Sequence, residues 1–227
     1  MLYVIAGIAL LLALIGPQWW TAWVMRRHGA RRDDLPGTGA ELARHLLDRF
    51  DLKDVKVEQT ERGDHYDPTA RTVRLGPDHF DGKSLTAVAV ASHEVGHALQ
   101  HAQGYRPLVW RTRMAVWAGS VERLGAGMMV AIPVISLISK NPRMGLILLA
   151  VGIFSMFLAT LVHLVTLPVE WNASFRRALP VLEEGYLSPR DMPAARQVLR
   201  AAAWTYVAGS LASLLNIARW IAILRRR

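Results

Sequence analysis

Four long apolar stretches divide the chain and constrain its fold more than any other feature. They run from Met1 to Val24, from about Met114 to Ser139, from Met144 to Val169 and from Ala201 to Leu224. Each has about the length that a helix needs to cross a hydrocarbon core. Hydrophobic residues fill 52% of the 227 positions, above ordinary soluble usage. The expectation is an α+β domain with a small β-sheet, attached to a bundle of three or four transmembrane helices.

The first stretch, an anchor over residues 1–25, carries Trp19, Trp20 and Trp23 just before Arg26 and Arg27, the pattern of an interfacial aromatic belt. Arg26, Arg27, Arg31 and Arg32 follow it and no Lys or Arg precedes it, which places the next segment in the cytoplasm. A cleaved signal would need a basic leader and a small-residue cleavage site, so the helix is expected to stay. Residues 114–169 read as a transmembrane hairpin around the turn Lys140-Asn141-Pro142-Arg143, which is expected to face outward. The last segment, 201–227, ends in three Arg residues; a full crossing would oppose the charge bias, so spanning and re-entrant readings both stand.

The formal net charge of +9 falls mainly beside apolar segments rather than on an aromatic-interleaved basic face. Nucleic acid is therefore not an expected partner, and a lipid bilayer is. Cysteine is absent. That excludes disulfides, thiolate metal sites and cysteine nucleophiles, and leaves His, Asp and Glu to hold any transition metal.

Residues 33–112 read as a polar unit. It opens with a capping box at Thr38-Gly39-Ala40-Glu41, followed by a helix with Leu42, Leu46, Leu47 and Phe50 on one face. Val55, Val57 and Gln59 begin a first strand, and Thr72-Val73-Arg74-Leu75 form a second. Between them, Asp64-His65-Tyr66-Asp67-Pro68 has turn chemistry, with an edge strand able to pair with substrate as the equal alternative. A further helix is expected from about Ser84 to Gln103, closed by Gly104 with Pro107 beyond.

That helix carries His93-Glu94-Val95-Gly96-His97. Residues four apart share a helix face, so both imidazoles can direct a nitrogen at one ion at about 2.0–2.1 Å. Glu94 lies beside this face, where it can take a proton from metal-bound water and return it to a leaving amine. The preceding apolar run Leu85–Ala91 would bury one side of the helix and turn the ligands toward a cleft. The pattern points to one Zn2+ per chain and to peptide hydrolysis.

Catalytic zinc commonly takes three protein ligands and keeps its fourth position for water. His101 is too far along the helix, about 12 Å from His93. A longer metzincin motif is excluded by Gln100 and Gln103, which stand where it needs Gly and His. Glu122, His163 and Glu170 remain, and Glu170 is best placed, where the third apolar stretch emerges into a polar, Arg-rich segment over 170–200. Arg176 and Arg177 are candidates to stabilise an oxyanion, against a reading as anchoring charges.

The motif Ala91-Ser92-His93-Glu94-Val95-Gly96-His97-Ala98-Leu99-Gln100-His101, with Asp64–Pro68 and Leu167-Pro168-Val169-Glu170-Trp171-Asn172-Ala173-Ser174, resembles the YugP-like family of bacterial membrane zinc metallopeptidases. The resemblance spans nearly the whole chain. It implies a minigluzincin domain at the cytoplasmic face of a multi-pass inner-membrane protein, with His93, His97 and Glu170 as ligands and Glu94 as the base. The reading taken from the whole sequence is internal cleavage of membrane-associated polypeptides, with a role in membrane-protein quality control as the expectation. More distantly the chain is similar to gluzincins of the HtpX type, in which an Asp follows the ligand Glu by four residues. Here Ser174 stands there, so a hydroxyl rather than a carboxylate would orient a histidine ring.

Two rival readings remain. One is a site-2-type intramembrane protease, against which the motif helix is too short in apolar residues to span and no later Asp-Gly ligand motif occurs. The other is a non-enzymatic, zinc-stabilised membrane scaffold, against which Glu94 is intact.

Overall fold

A computed structural model of the chain describes residues 2–117, 120, 154, 157–158, 161–162 and 164–224. Helix α1 (Leu2–Arg27) leads to α2 (Gly39–Arg49), then three short strands, β1 (Lys56–Gln59), β2 (His65–Asp67) and β3 (Thr72–Leu75). The single turn α3 (Pro77–Phe80) precedes α4 (Leu85–Ala102). Residues 106–117 form α5 and residues 164–186 form α6, whose turns widen at Ser174–Ala178 and Leu182–Tyr186. The last helix is α7 (Met192–Leu224).

The α+β expectation for the polar unit agrees with this architecture, largely because the caps are local. Thr38 Oγ1 accepts from the Glu41 N–H at 3.3 Å and the Glu41 carboxylate accepts from the Thr38 N–H at 2.8 Å, which closes both orphan donors at the start of α2. Leu42, Ala43, Leu46 and Leu47 turn inward, while Phe50, at the C-cap, is left half-exposed. Ser84 caps α4 by accepting from Ala87 N–H at 3.1 Å, and Gly104, at φ +62°, ends it in a left-handed conformation that suits glycine.

The sheet has the order β1-β3-β2, with β1 parallel and β2 antiparallel to β3. β2 is thus an edge strand, in the segment whose turn and edge-strand readings were equal. The turn begins only at Asp67, whose carboxylate accepts from the Thr69 and Ala70 N–H groups at 2.9 and 3.0 Å. Before it, Tyr66 pairs with Val73, and Arg74 reaches across to Asp67 at 2.7 Å. Leu46, Leu47, Val73, Leu75, Val88, Val95 and Leu182 form the core between sheet and helices.

A second core joins Val24 of α1, Ala89 of α4, Ala178 and Leu179 of α6, and Val198, Leu199 and Ala201 of α7. Polar ties run through the same junction. Thr21 Oγ1 donates to Ala201 O at 2.7 Å, Thr86 Oγ1 donates to Met25 O at 2.9 Å, and Arg32 pairs with Asp191 at 3.0 Å. This corrects the transmembrane bundle expected from the sequence. Among the described residues, no helix is long and apolar enough to cross a membrane. Apolar composition does not distinguish side chains buried in lipid from those buried in protein, and here Val24 and Ala201, from the first and last expected spans, are protein core together with Val198 and Leu199 of the segment read as polar. The expected hairpin over 114–169 lies mostly outside the described residues.

Asp64 fastens the loop before β2 to the turn after β3. Its Oδ1 accepts from Gly76 N–H and its Oδ2 from His79 Nδ1, each at 2.8 Å. The bond to Asp64 raises His79 above its ordinary 6.5 despite burial. Burial pushes Asp64 up, but His79 and the Gly76 N–H outweigh it and leave the carboxyl below its ordinary 3.8. The Asp64 contribution is complete above 3.8 and is lost as pH falls through its depressed folded value. That of His79 is complete below 6.5 and is lost as pH rises through its raised folded value. His79→Gln is therefore expected to cost about 1–2 kcal/mol at pH 5.5, discounted for partial exposure, and clearly less at pH 8.5. Urea unfolding at the two pH values checks this, and an equal cost at both would refute the ion pair.

Candidate metal centre

One turn of α4 carries both histidines, and α6 crosses it closely enough to add a carboxylate. His93 Nε2 lies 3.1 Å from His97 Nε2 and 3.1 Å from Glu170 Oε2, and His97 Nε2 lies 3.3 Å from the same oxygen. His97 is 5% exposed and Glu170 1%, so the donors converge in the interior. The close approach depends on Gly96: a Cβ there would stand 2.7 Å from Ala173 O on α6.

The outer ring nitrogens are engaged. His93 Nδ1 lies 2.9 Å from Ser174 Oγ, and His97 Nδ1 donates to Gln100 Oε1 at 3.0 Å. With Nδ1 of His97 protonated, its Nε2 presents a lone pair to the point of convergence. Gln100 is wholly buried and its amide donates to Val169 O at 2.8 Å and to Asn172 Oδ1 at 2.9 Å, which ties the histidine helix to the Glu170 helix. Two imidazoles, each engaged at its outer nitrogen, and one carboxylate are a donor set that suits Zn2+. The histidines hold Glu170 below the ordinary carboxylate range although burial pushes it up, so its charge is present to meet a cation.

Glu94 follows His93 on α4 and is 6% exposed. Burial pushes its carboxyl up to about 7, the carboxylates of Glu170 and Asp64 add to that, and His93 and the Tyr66 N–H oppose it. The Tyr66 N–H bond brings the β2 edge to the candidate base. A carboxyl poised near neutrality can both accept and release a proton.

Glu122 and His163 lie outside the described residues. His101 is not part of the cluster; its Nδ1 is 2.8 Å from Tyr66 OH. Arg177, expected on the Glu170 face by seven-residue spacing, lies in the wide turn Ser174–Ala178 and is engaged away from the cluster. It donates to Asn172 Oδ1 and, at 2.7 Å, to Gln103 Oε1, and stacks over Tyr105 at 5.2 Å. Arg176 lines a separate groove with Leu167, Trp171 and Trp204. The reading from sequence missed Gln100 as a partner of His97, although the three-residue spacing on one face was available as a signal.

A family model described as "Putative neutral zinc metallopeptidase" matches residues 2–225. The chain belongs to this family. Among curated proteins, "Putative membrane protease YugP" of Bacillus subtilis (strain 168) is 37% identical over 223 residues, which cover 95% of each chain. No solved structure matches. Membership of the zinc metallopeptidases agrees with the resemblance drawn from the motifs, and a zinc cofactor agrees with the cluster of His93, His97 and Glu170.

Proposed function

We propose that this chain is a zinc-dependent endopeptidase of the gluzincin type, acting on polypeptides at the cytoplasmic face of a membrane. The observation that carries the reading is the convergence of His93 Nε2, His97 Nε2 and Glu170 Oε2, each within 4.8 Å of the others, with Glu94 buried beside them. His93, His97 and Glu170 would hold one Zn2+, and Ser174 and Gln100 orient the rings. When bound, the ion polarises the scissile carbonyl and acidifies water. Glu94 takes the proton of the attacking water and delivers it to the leaving nitrogen. The outer edge of β2, beside the Tyr66 N–H that meets Glu94, aligns an extended substrate by main-chain hydrogen bonds.

Membrane association is supported by the name of the relative and by exposed aromatic residues. Trp19 is 72% exposed and Trp117 70%, and Arg27 lies over Trp23 at 5.0 Å. Trp with Arg at a surface fits a headgroup interface. A role in membrane-protein quality control would follow from that location.

Elemental analysis of the purified protein is expected to give about one zinc per chain. His93→Ala and His97→Ala are each expected to lose it. Wild-type zinc content in both variants would refute the ligand assignment.

A further inference from the structure

Among the described residues, the second oxygen of Glu170 has no hydrogen-bond partner. Oε1 is fully shielded from solvent, whereas Oε2 faces the two histidines. A buried carboxylate oxygen left in this way costs free energy unless a charge lies near. The charge present is Arg111 of α5, whose Nη2 stands 3.7 Å from Oε1. That separation is too long for a hydrogen bond, so Arg111 is held at the metal pole by Coulomb attraction and not tied by a directed N–H contact. Its side chain is 34% exposed, so it bridges the buried Glu170 and solvent.

Arg176 and Arg177 are occupied elsewhere, by the Trp171 groove and by the Asn172–Gln103 bridge. Among the described residues, Arg111 is the guanidinium whose ion pair reaches the metal cluster. Tyr206 of α7 is close enough for the charges of Glu170, Glu94 and Arg111 to act on its phenol, which burial raises most. The phenol therefore keeps its proton.

We propose that Arg111 is a catalytic residue that donates to the carbonyl oxygen of the scissile peptide as that oxygen gains negative charge. The assignment rests on the peptidase reading above. Water adds to the carbonyl carbon, a C–O bond forms, the π pair of the carbonyl moves onto its oxygen, and the water proton passes to Glu94. The guanidinium N–H groups stabilise the resulting anion. On collapse the carbonyl re-forms, the C–N pair leaves on nitrogen, and Glu94 returns the proton to the amine. Preorganised donors aimed at developing charge lower the barrier of such reactions substantially, because they need no reorganisation as the charge forms.

The test compares the zinc-loaded full chain with Arg111→Gln and Arg111→Lys, each checked for folding by circular dichroism. Three quantities are read: zinc affinity by chelator competition, kcat and KM on a peptide that wild type cleaves, and affinity for a phosphinic peptide copying the cleaved bond. For Arg111→Gln, kcat and phosphinate affinity are expected to fall about 10²–10³-fold, with KM and zinc affinity changed only a few-fold. Arg111→Lys, which keeps the charge, recovers part of both. Wild-type phosphinate affinity in Arg111→Gln overturns the assignment. So does a loss of zinc affinity with kcat restored at saturating zinc, because Arg111 would then act only on Glu170. A wild-type protein that holds no zinc or cleaves no peptide overturns this proposal and the peptidase reading together.

Discussion

Glu94→Gln is expected to keep its zinc and lose peptide cleavage by about 10²–10⁴-fold. The reason is local. Three other side chains supply the converging donors, so the ligand set does not change when Glu94 does. Glutamine has the same shape, fits the same buried space, and its amide oxygen can still accept from the Tyr66 N–H that meets the Glu94 carboxyl. What it cannot do is bind and release a proton near neutral pH, and a positioned base of this kind contributes roughly 10²–10⁴-fold. Burial already disfavours the charged form of Glu94, so its replacement by a neutral amide carries no stability penalty from lost charge. The variant should unfold at or above the wild-type temperature. Zinc content, thermal unfolding and kcat/KM measured together decide it. Turnover within tenfold of wild type would remove Glu94 from the mechanism.

The parts of this site that were legible in the sequence are those fixed by helical phase and local caps. Ser84 and Gly104 bracket α4, and within it the four-residue spacing of His93 and His97 needs no tertiary information. Thr72–Leu75 was readable as a strand because its residues match the extended period. Glu170 is different in kind. It is 73 residues from His97, and nothing in its own neighbourhood distinguishes a ligand from a charged residue at the end of an apolar stretch. Its position at the end of the third apolar stretch favoured it over Glu122 and His163, the resemblance pointed to the same residue, and its distance to the histidines came only from the fold. Arg111 and Tyr206 could not be found in this way, because each approaches the site only through the packing of a separate helix. The membrane bundle failed as an expectation for a related reason. Val24 and Ala201 are as apolar as lipid-facing residues, and the decisive fact, that they lie in one protein core with Ala89 and Leu199, is tertiary.

Gly96→Ala is expected to weaken zinc binding about 10–100-fold and to destabilise the fold by about 1–3 kcal/mol. Alanine has the higher helix propensity by about 1 kcal/mol, so α4 on its own would gain from the change. The obstacle lies across the helix interface. The added Cβ would stand 2.7 Å from Ala173 O and 3.3 Å from Ala173 C, and both are backbone atoms that cannot swing aside as a side chain can. α4 and α6 must move apart. Glu170 precedes Ala173 by three residues on α6, and His93 and His97 flank Gly96 on α4, so separation acts directly on the three donors. It also stretches the Ser174 contact to His93 and the Gln100 bond to Val169 O, which orient the ligands from behind. Chelator competition and urea unfolding separate the two effects. A Gly96→Ala protein with wild-type zinc affinity would mean that the helix spacing does not set the metal centre. A variant with intact stability but lower affinity would place the whole cost in ligand geometry, because the propensity gain of alanine would then offset the strain of parting the helices.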